Sequence, residues 1–186
     1  MGKEYKIYKT LNKMLKDRGY DVGNKYRLSE DQFKKQFKKT ELYKEPDTGN
    51  TLQVIYILDE KFGAQSLKNL IMDLEVEGIK HLILIAKDFT SDAIKGIKNI
   101  KDDLQIEYFM NKNLYTPVTN NRFQPKTFLV LNNKEIAEIV KQYGPIKNFP
   151  RIKESDPVSK YFNLKINQVI CFDRGNGDYY YRRVIR

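Results

Sequence analysis

Apolar positions along the chain change period several times, and each change marks an element. Between Glu4 and Arg18, residues Ile7, Tyr8, Leu11, Met14 and Leu15 recur at helical spacing, and Gly19 follows as a natural left-handed stop. A first helix is predicted there. Ser29 with Gln32 three residues on forms a capping box, and Leu28 can staple against Phe33. The second predicted helix runs to about Lys39 and buries Phe33 and Phe37, and Thr40 to Asn50, with Pro46 and Gly49 among charges, reads as an exposed loop. The string TLQVIYIL is rich in β-branched and aromatic residues and predicts a strand. A helix from about Ala64 to Glu77 puts Leu67, Leu70, Ile71 and Leu74 on one side and ends at Gly78. HLILIA is an almost unbroken apolar run, the signature of a strand buried on both faces. Thr90 can cap a short helix through Ile97, and LQIEYF gives a third strand. Strand, helix, strand, helix, strand predicts a small three-layer α/β unit with a mainly parallel sheet.

The pattern loosens between Met110 and Pro125, where asparagines and prolines gather, so the expected domains are 1–115 and 116–186. Beyond the junction, Phe128 to Leu131 reads as a strand. Asn132 and Glu135 form a second capping box, opening the helix KEIAEIVKQY, which Gly144 and Pro145 close. Asp156 before Pro157 is a further start signal, a side-chain cap followed by proline at the first helical position. The short helix PVSKYF ends at Asn163. QVICF and YYYRRVI then flank the glycine-rich turn RGNGD, predicting a hairpin. The second domain is expected to be α+β and built around that hairpin.

Composition adds limits. The 186 residues are 40% hydrophobic, too rich in Leu, Ile, Val and Phe for a disordered chain. No apolar run reaches the ~18 residues of a membrane span, MGKEYK has no apolar signal region, and its sixth residue is not Ser or Thr, so Gly2 is a poor acylation site. The one cysteine, Cys171, rules out an internal disulfide, suits a reducing compartment and reads as a small buried hydrophobe. Lys and Arg total 34 against 24 Asp and Glu, a formal +10 that attracts polyanions, nucleic acid first, or merely solvates the surface. There is no glycine-rich phosphate loop, no Cys/His metal spacing and no Ser/His/Asp arrangement, so no catalytic residue, metal or cofactor is expected. His81, the only histidine, has no Cys or carboxylate cluster near it in sequence and is expected to be structural.

The string from Phe149 to Arg186 resembles the C-terminal assembly domain of the fifth subunit shared by eukaryotic nuclear RNA polymerases, a family with an archaeal equivalent. Pro150, Arg151, Ile152, Asp156, Pro157, Val158, Tyr161, Leu164, Lys165, Val169, Tyr181, Arg182 and Val184 follow the family pattern in one register. Lys16 to Tyr20 resembles the Lys-Asp-Arg-Gly-Tyr sequence after that family's opening helix. Thr90-Ser91-Asp92-Ala93 resembles its Thr-Pro-Ser-Ala loop. The chain departs from the pattern in places. Asn163 and Asn167 replace two turn glycines, a tolerable exchange because Asn enters left-handed backbone more readily than other residues. NRFQPKTFLV keeps only Pro125 and Lys126 of a histidine-rich stretch, and the loop after the second helix is short. With the Lys, Asn and Ile bias, these departures point to a large DNA virus of eukaryotes.

The resemblance implies a restriction-endonuclease-like jaw domain followed by an assembly domain. It implies a non-catalytic subunit whose assembly domain docks on the largest polymerase subunit, among the other polymerase subunits, while the jaw touches downstream duplex DNA. Partner contacts are expected at Pro125, Lys126, Pro150, Arg151, Asp156, Pro157, Tyr161, Tyr181 and Arg182. DNA contacts are expected at Lys87, Thr90, Ser91 and Lys95, where a helix start aims N–H groups at phosphate and Asp92 opposes it. No membrane is implied; the site of action is the nucleus for a cellular source, virion and host cytoplasm for a viral one. Two rival readings remain. One is a metal-dependent nuclease using Asp59-Glu60-Lys61 with Asp47 as second acid. The other is a free-standing basic DNA-binding protein, which would bind DNA tightly alone.

Overall fold

In the computed structural model, residues 2–45, 49–100, 104–121, 124–125, 127–175 and 177–186 are described. Asp47 and Lys126, named above as candidates, lie outside them. The chain divides into two compact units, Met1–Thr116 and Pro117–Arg186. No helix among the described residues is long and apolar enough to cross a membrane.

The first unit is a four-stranded sheet between two helical layers. Its strands β1 (Thr40–Lys44), β2 (Thr51–Phe62), β3 (His81–Phe89) and β4 (Gln105–Met110) lie side by side in that order. β2, β3 and β4 run parallel, and β1 is antiparallel to β2. Helices α3 (Ala64–Glu77) and α4 (Ser91–Lys98) make the two crossovers. Strand alternation sorts the side chains: Leu82, Leu84 and Ala86 join Leu67, Leu74, Ala93 and Ile97 on the α3/α4 face. Val54, Tyr56, Ile83 and Ile85 point to the other face, where α1 (Lys3–Asp17) and α2 (Glu30–Gln36) lie and Tyr8 meets Tyr56 with ring centroids 6.4 Å apart. Leu82 to Ala86 are fully buried, as their apolar run requires. Gly78 closes α3 in left-handed conformation at φ 68°. Gly96 lets α4 approach α3, because a Cβ there would meet Leu67 Cδ2 at 2.7 Å.

Two local expectations need correction. Helix α2 stops at Gln36, where Phe37 turns extended at ψ 130°, so the helix does not reach Lys39. Thr40–Lys44 is an edge strand rather than loop, and its Tyr43 is buried, the hydroxyl 3.0 Å from Asn12 Oδ1 on α1 and 2.6 Å from Glu41 Oε2. Tyr43 and Glu41 point inward while Thr40, Leu42 and Lys44 point out, so an inward charge and an outward leucine blur the alternation that would announce the strand. The same surroundings, burial first and the Glu41 charge second, push the Tyr43 hydroxyl well above the usual phenol range.

The second unit is a mixed sheet in the order β5 (Thr127–Val130), β7 (Val169–Asp173), β8 (Tyr179–Ile185), β6 (Arg151–Lys153). β5 and β8 pair antiparallel with β7, and β6 pairs parallel with β8. Helix α5 (Asn133–Tyr143) starts at its capping box, with Asn132 Oδ1 accepting from Lys134 and Glu135 N–H at 2.9 and 3.0 Å and Glu135 returning to the Asn132 N–H at 2.7 Å. Helix α6 (Pro157–Tyr161) starts at Asp156, whose Oδ1 accepts from Val158 N–H at 2.8 Å. Ile152, Val158, Leu164, Ile170, Phe172 and Val184 form the core. Phe172 stacks on Tyr180 at 4.8 Å and 8°. Asn163 and Asn167 hold φ of 52° and 71°, the positive backbone angles that two turn glycines would take. β6 has no signal in the sequence pattern: three residues are too few for periodicity to register.

Candidate functional site

On the α3/α4 side of the first unit, Thr90 caps α4, its hydroxyl accepting from Ala93 N–H at 3.2 Å. That leaves the Ser91 and Asp92 amides as the free donors of the first turn. Ser91, Asp92 and Lys95 are exposed, and Lys95 Nζ lies 3.8 Å from Asp92 Oδ1. Thr90, Ser91 and Lys95 thus share one helix start. Lys87 does not join them. It follows His81, Ile83 and Ile85 onto the α1/α2 face, where it lines a cleft of about 520 Å³ at the carboxyl ends of the parallel strands. Lys3, Lys34, Tyr5, Phe33, Asp59 and Asn111 are among its other walls. Asn111 donates to Leu58 C=O at 2.7 Å, while its own Oδ1 is buried without a partner. Asp59 is therefore in the cleft, and Lys61 lies 3.9 Å from Asp88 across the strand pair. Among the described residues no group of three or more His, Cys, Asp or Glu is placed to hold a metal ion.

The strongest electrostatic feature of this unit is one that sequence spacing hides. His81 is buried between two carboxylates, Nδ1 at 2.5 Å from Glu45 Oε1 and Nε2 at 2.9 Å from Glu107 Oε1. Arg18, at the end of α1, grips Glu107 with both terminal nitrogens at 2.8 Å. Burial alone would raise the Glu107 carboxyl, but the Arg18 charge and the His81 and Arg18 hydrogen bonds outweigh it and hold it at about 2. The expectation that His81 has no carboxylates near it holds along the chain and fails in space. A glutamate in the middle of the apolar strand LQIEYF was the signal available in sequence, because an inward charge on a strand requires a partner. Arg18 belongs to the Lys16–Tyr20 string, and its task here is to tie α1 to β4.

In the second unit, Pro150, Arg151 and Pro157 are exposed, Asp156, Tyr181 and Arg182 half-buried, and Pro125 and Tyr161 buried. Tyr161 packs on Phe162 with centroids 5.0 Å apart, so it supports the unit rather than presenting itself. The run YYYRR does not segregate into a tyrosine face and an arginine face. Register with β7 puts Tyr180 and Arg182 on the core face with Ile170 and Phe172, and Tyr181 and Arg183 on the other with Val169 and Cys171. Tyr181 contacts Tyr143 and Phe149 there, with centroids at 5.7 and 6.3 Å. Cys171 is buried, and that burial raises its thiol above the usual range, as suits a packing residue rather than a nucleophile.

Sequence comparison assigns both units to one class of protein, a two-domain subunit of the transcription machinery. The description RNA polymerase Rpb5, N-terminal domain, fits residues 1–74, and RNA polymerase Rpb5, C-terminal domain, fits residues 116–184. Similar curated proteins include the DNA-directed RNA polymerases I, II, and III subunit RPABC1 of Caenorhabditis briggsae, 26% identical over 89% of this chain and 86% of that one. The Caenorhabditis elegans protein of the same name is 26% identical with the same coverage. The DNA-directed RNA polymerases IV and V subunit 5B of Arabidopsis thaliana is 27% identical over 90% of this chain and 81% of that one. The chain belongs to the RNA polymerase Rpb5 family and is a non-catalytic subunit of DNA-directed RNA polymerase.

Proposed function

We propose that the second unit docks on the largest polymerase subunit and that the first forms part of the jaw beside downstream duplex DNA. The docking reading rests on one observation: the family match over 116–184 spans almost the whole of the second unit, which also carries the ordered row of residues from Pro150 to Val184. Within that row, Pro150, Arg151 and Pro157 are exposed and free to meet a partner, with Asp156, Tyr181 and Arg182 half-open beside them. Buried Pro125 and Tyr161 act by holding the unit's shape. A tagged full chain purified from its source co-purifies with the largest polymerase subunit. Its absence from the eluate, with the chain intact, overturns the docking.

For the jaw, the three layers around a mainly parallel sheet are compatible with the restriction-endonuclease-like fold that the resemblance implies. The start of α4 meets phosphate through the Ser91 and Asp92 amides and Lys95, contacts that carry no sequence preference, as a moving polymerase needs. Lys87 lies on the opposite face of the sheet from α4, so Lys87→Glu and Lys95→Glu are to be measured separately. Lys95→Glu lowers jaw–DNA affinity at low salt and flattens its salt dependence. An unchanged affinity and salt slope removes the α4 contact. The work of such a subunit is done in the nucleus of a cell or, for a viral source, in the virion and host cytoplasm.

A further inference from the structure

The second unit carries thirteen Lys and Arg against six Asp and Glu over Pro117–Arg186, a formal +7, while Met1–Thr116 carries 21 against 18, a formal +3. Most of the chain's positive excess therefore sits in the smaller unit. The sheet concentrates it. Parallel pairing sets Arg151 of β6 directly beside Arg183 of β8, and Lys153 follows two residues along β6 on the same side. Neighbouring strands lie about 4.8 Å apart, so two guanidinium groups leave adjacent backbones in the same direction. Like charges directly across a strand pair are destabilising. Neither arginine has an ion pair or a side-chain hydrogen bond among the described residues, and Arg183 Nε is shut off from water with no acceptor. β6 is also the sheet's edge, and alternation turns the backbone N–H and C=O of Arg151 away from β8, because Pro150 C=O and Glu154 N–H already face it.

Charged residues on an edge strand ordinarily keep other strands away. Within β6 both charges, Arg151 and Lys153, are positive and share one face, while exposed Glu154 after them lies on the other, so that face repels a second copy of this basic unit and admits an acidic strand. We infer that the Arg151–Arg183 pair with Lys153 is a binding site for an acidic, extended segment of a partner polymerase subunit, its carboxylates bridging the two guanidinium groups. A carboxylate matches the planar fork of arginine two-pronged and relieves the repulsion between the pair. Half-buried arginine beside Tyr181 on the same face has the composition of a protein interface, which favours a peptide over duplex DNA. This inference deepens the docking reading and rests on it for the partner's identity, but its chemistry is testable alone.

The probe is a labelled eight-residue peptide of alternating Glu and Val, titrated against the full chain, with a Gln-Val peptide and a duplex DNA of about 20 base pairs as comparisons. The Glu-Val peptide binds the unaltered chain, and the Gln-Val peptide does not. Arg151→Glu/Arg183→Glu weakens binding at least tenfold, whereas Lys134→Glu/Lys141→Glu, equal in charge but on α5, changes it less than twofold. Arg151→Gln guards against misfolding: it removes the like-charge neighbour, leaves the unfolding midpoint unchanged or raised, and still weakens binding threefold or more. No binding at millimolar peptide, equal binding by the arginine variant, or displacement of the peptide by duplex DNA overturns the site. In the assembled polymerase the two readings part. If Arg151→Glu/Arg183→Glu is retained on the largest subunit as well as the unaltered chain, docking stands and this site is wrong; if the unaltered chain is not retained, docking itself fails.

Discussion

The two units treat charge in opposite ways. The first closes its buried charges internally: Arg18, His81, Glu45 and Glu107 are all partnered, and Lys25 Nζ reaches Glu41 at 3.3 Å. The second leaves Arg151 and Arg183 side by side without an ion pair among the described residues, and there seals Arg182 Nε and Arg183 Nε without acceptors. Burying a charge is tolerable only when it is paired. A unit that satisfies its own charges is finished as it stands, whereas half-buried guanidinium nitrogens without acceptors are what the proposed docking would answer. Total net charge obscures this. The formal +10 suggests nucleic acid for the whole chain, but the excess lies mainly in the unit expected to meet protein.

The largest effect that separates the units comes from the buried network. Arg18→Ala leaves Glu107 charged and unpaired in the first unit's interior and costs about 3–5 kcal/mol in denaturant unfolding. Removing Arg182 or Arg183 breaks no ion pair among the described residues and costs far less. If the two units respond alike, the contrast fails.

Acid sharpens it further. The folded Glu107 carboxyl, at about 2, lies below its ordinary value of 4.5, so the unfolded chain binds the proton more readily. The group's contribution is complete above about pH 4.5 and fades as pH falls toward 2, on the order of 2–3 kcal/mol in total. Unfolding followed between pH 2 and 5 shows the first unit losing stability over that window, and Glu107→Gln flattens the slope.

Smaller effects probe packing. Gly96→Ala gains helix propensity, but its methyl meets the buried Leu67 side chain at 2.7 Å, and the net loss is about 1 kcal/mol in thermal unfolding. Asn167→Gly in the second unit relieves a positive φ of 71° and gains about 0.5 kcal/mol, while Asn167→Val loses about 1–2 kcal/mol.

Much of this architecture is legible along the chain because its causes are local. HLILIA announces a doubly covered strand, the Ser29 and Asn132 capping boxes start helices where they form, and Asn163 and Asn167 take the left-handed backbone expected of them. What escapes is either short or distant. β1 and β6 have five and three residues, too few for a period, and both are edges: β1 turns Leu42 outward and Glu41 inward, and β6 shows a single buried residue between two exposed charges. The carboxylates around His81 come from 36 and 26 residues away, and only sheet pairing brings Arg151 beside Arg183. Among the candidate site residues, Thr90, Ser91 and Lys95 gather because they are neighbours on a helix start. Lys87, three residues before Thr90, is parted from them by strand alternation, and Tyr161, expected at the partner interface, is drawn into packing by its own short helix.

The contrast is read most directly by backbone hydrogen exchange at Arg151–Lys153 and Tyr179–Ile185, compared between the free chain and the chain assembled in its polymerase. Coverage of the basic edge predicts slowed exchange at both segments on assembly, with the buried centre of β3 protected equally in the two states. Equal exchange at the β6 and β8 segments, free and assembled, contradicts it.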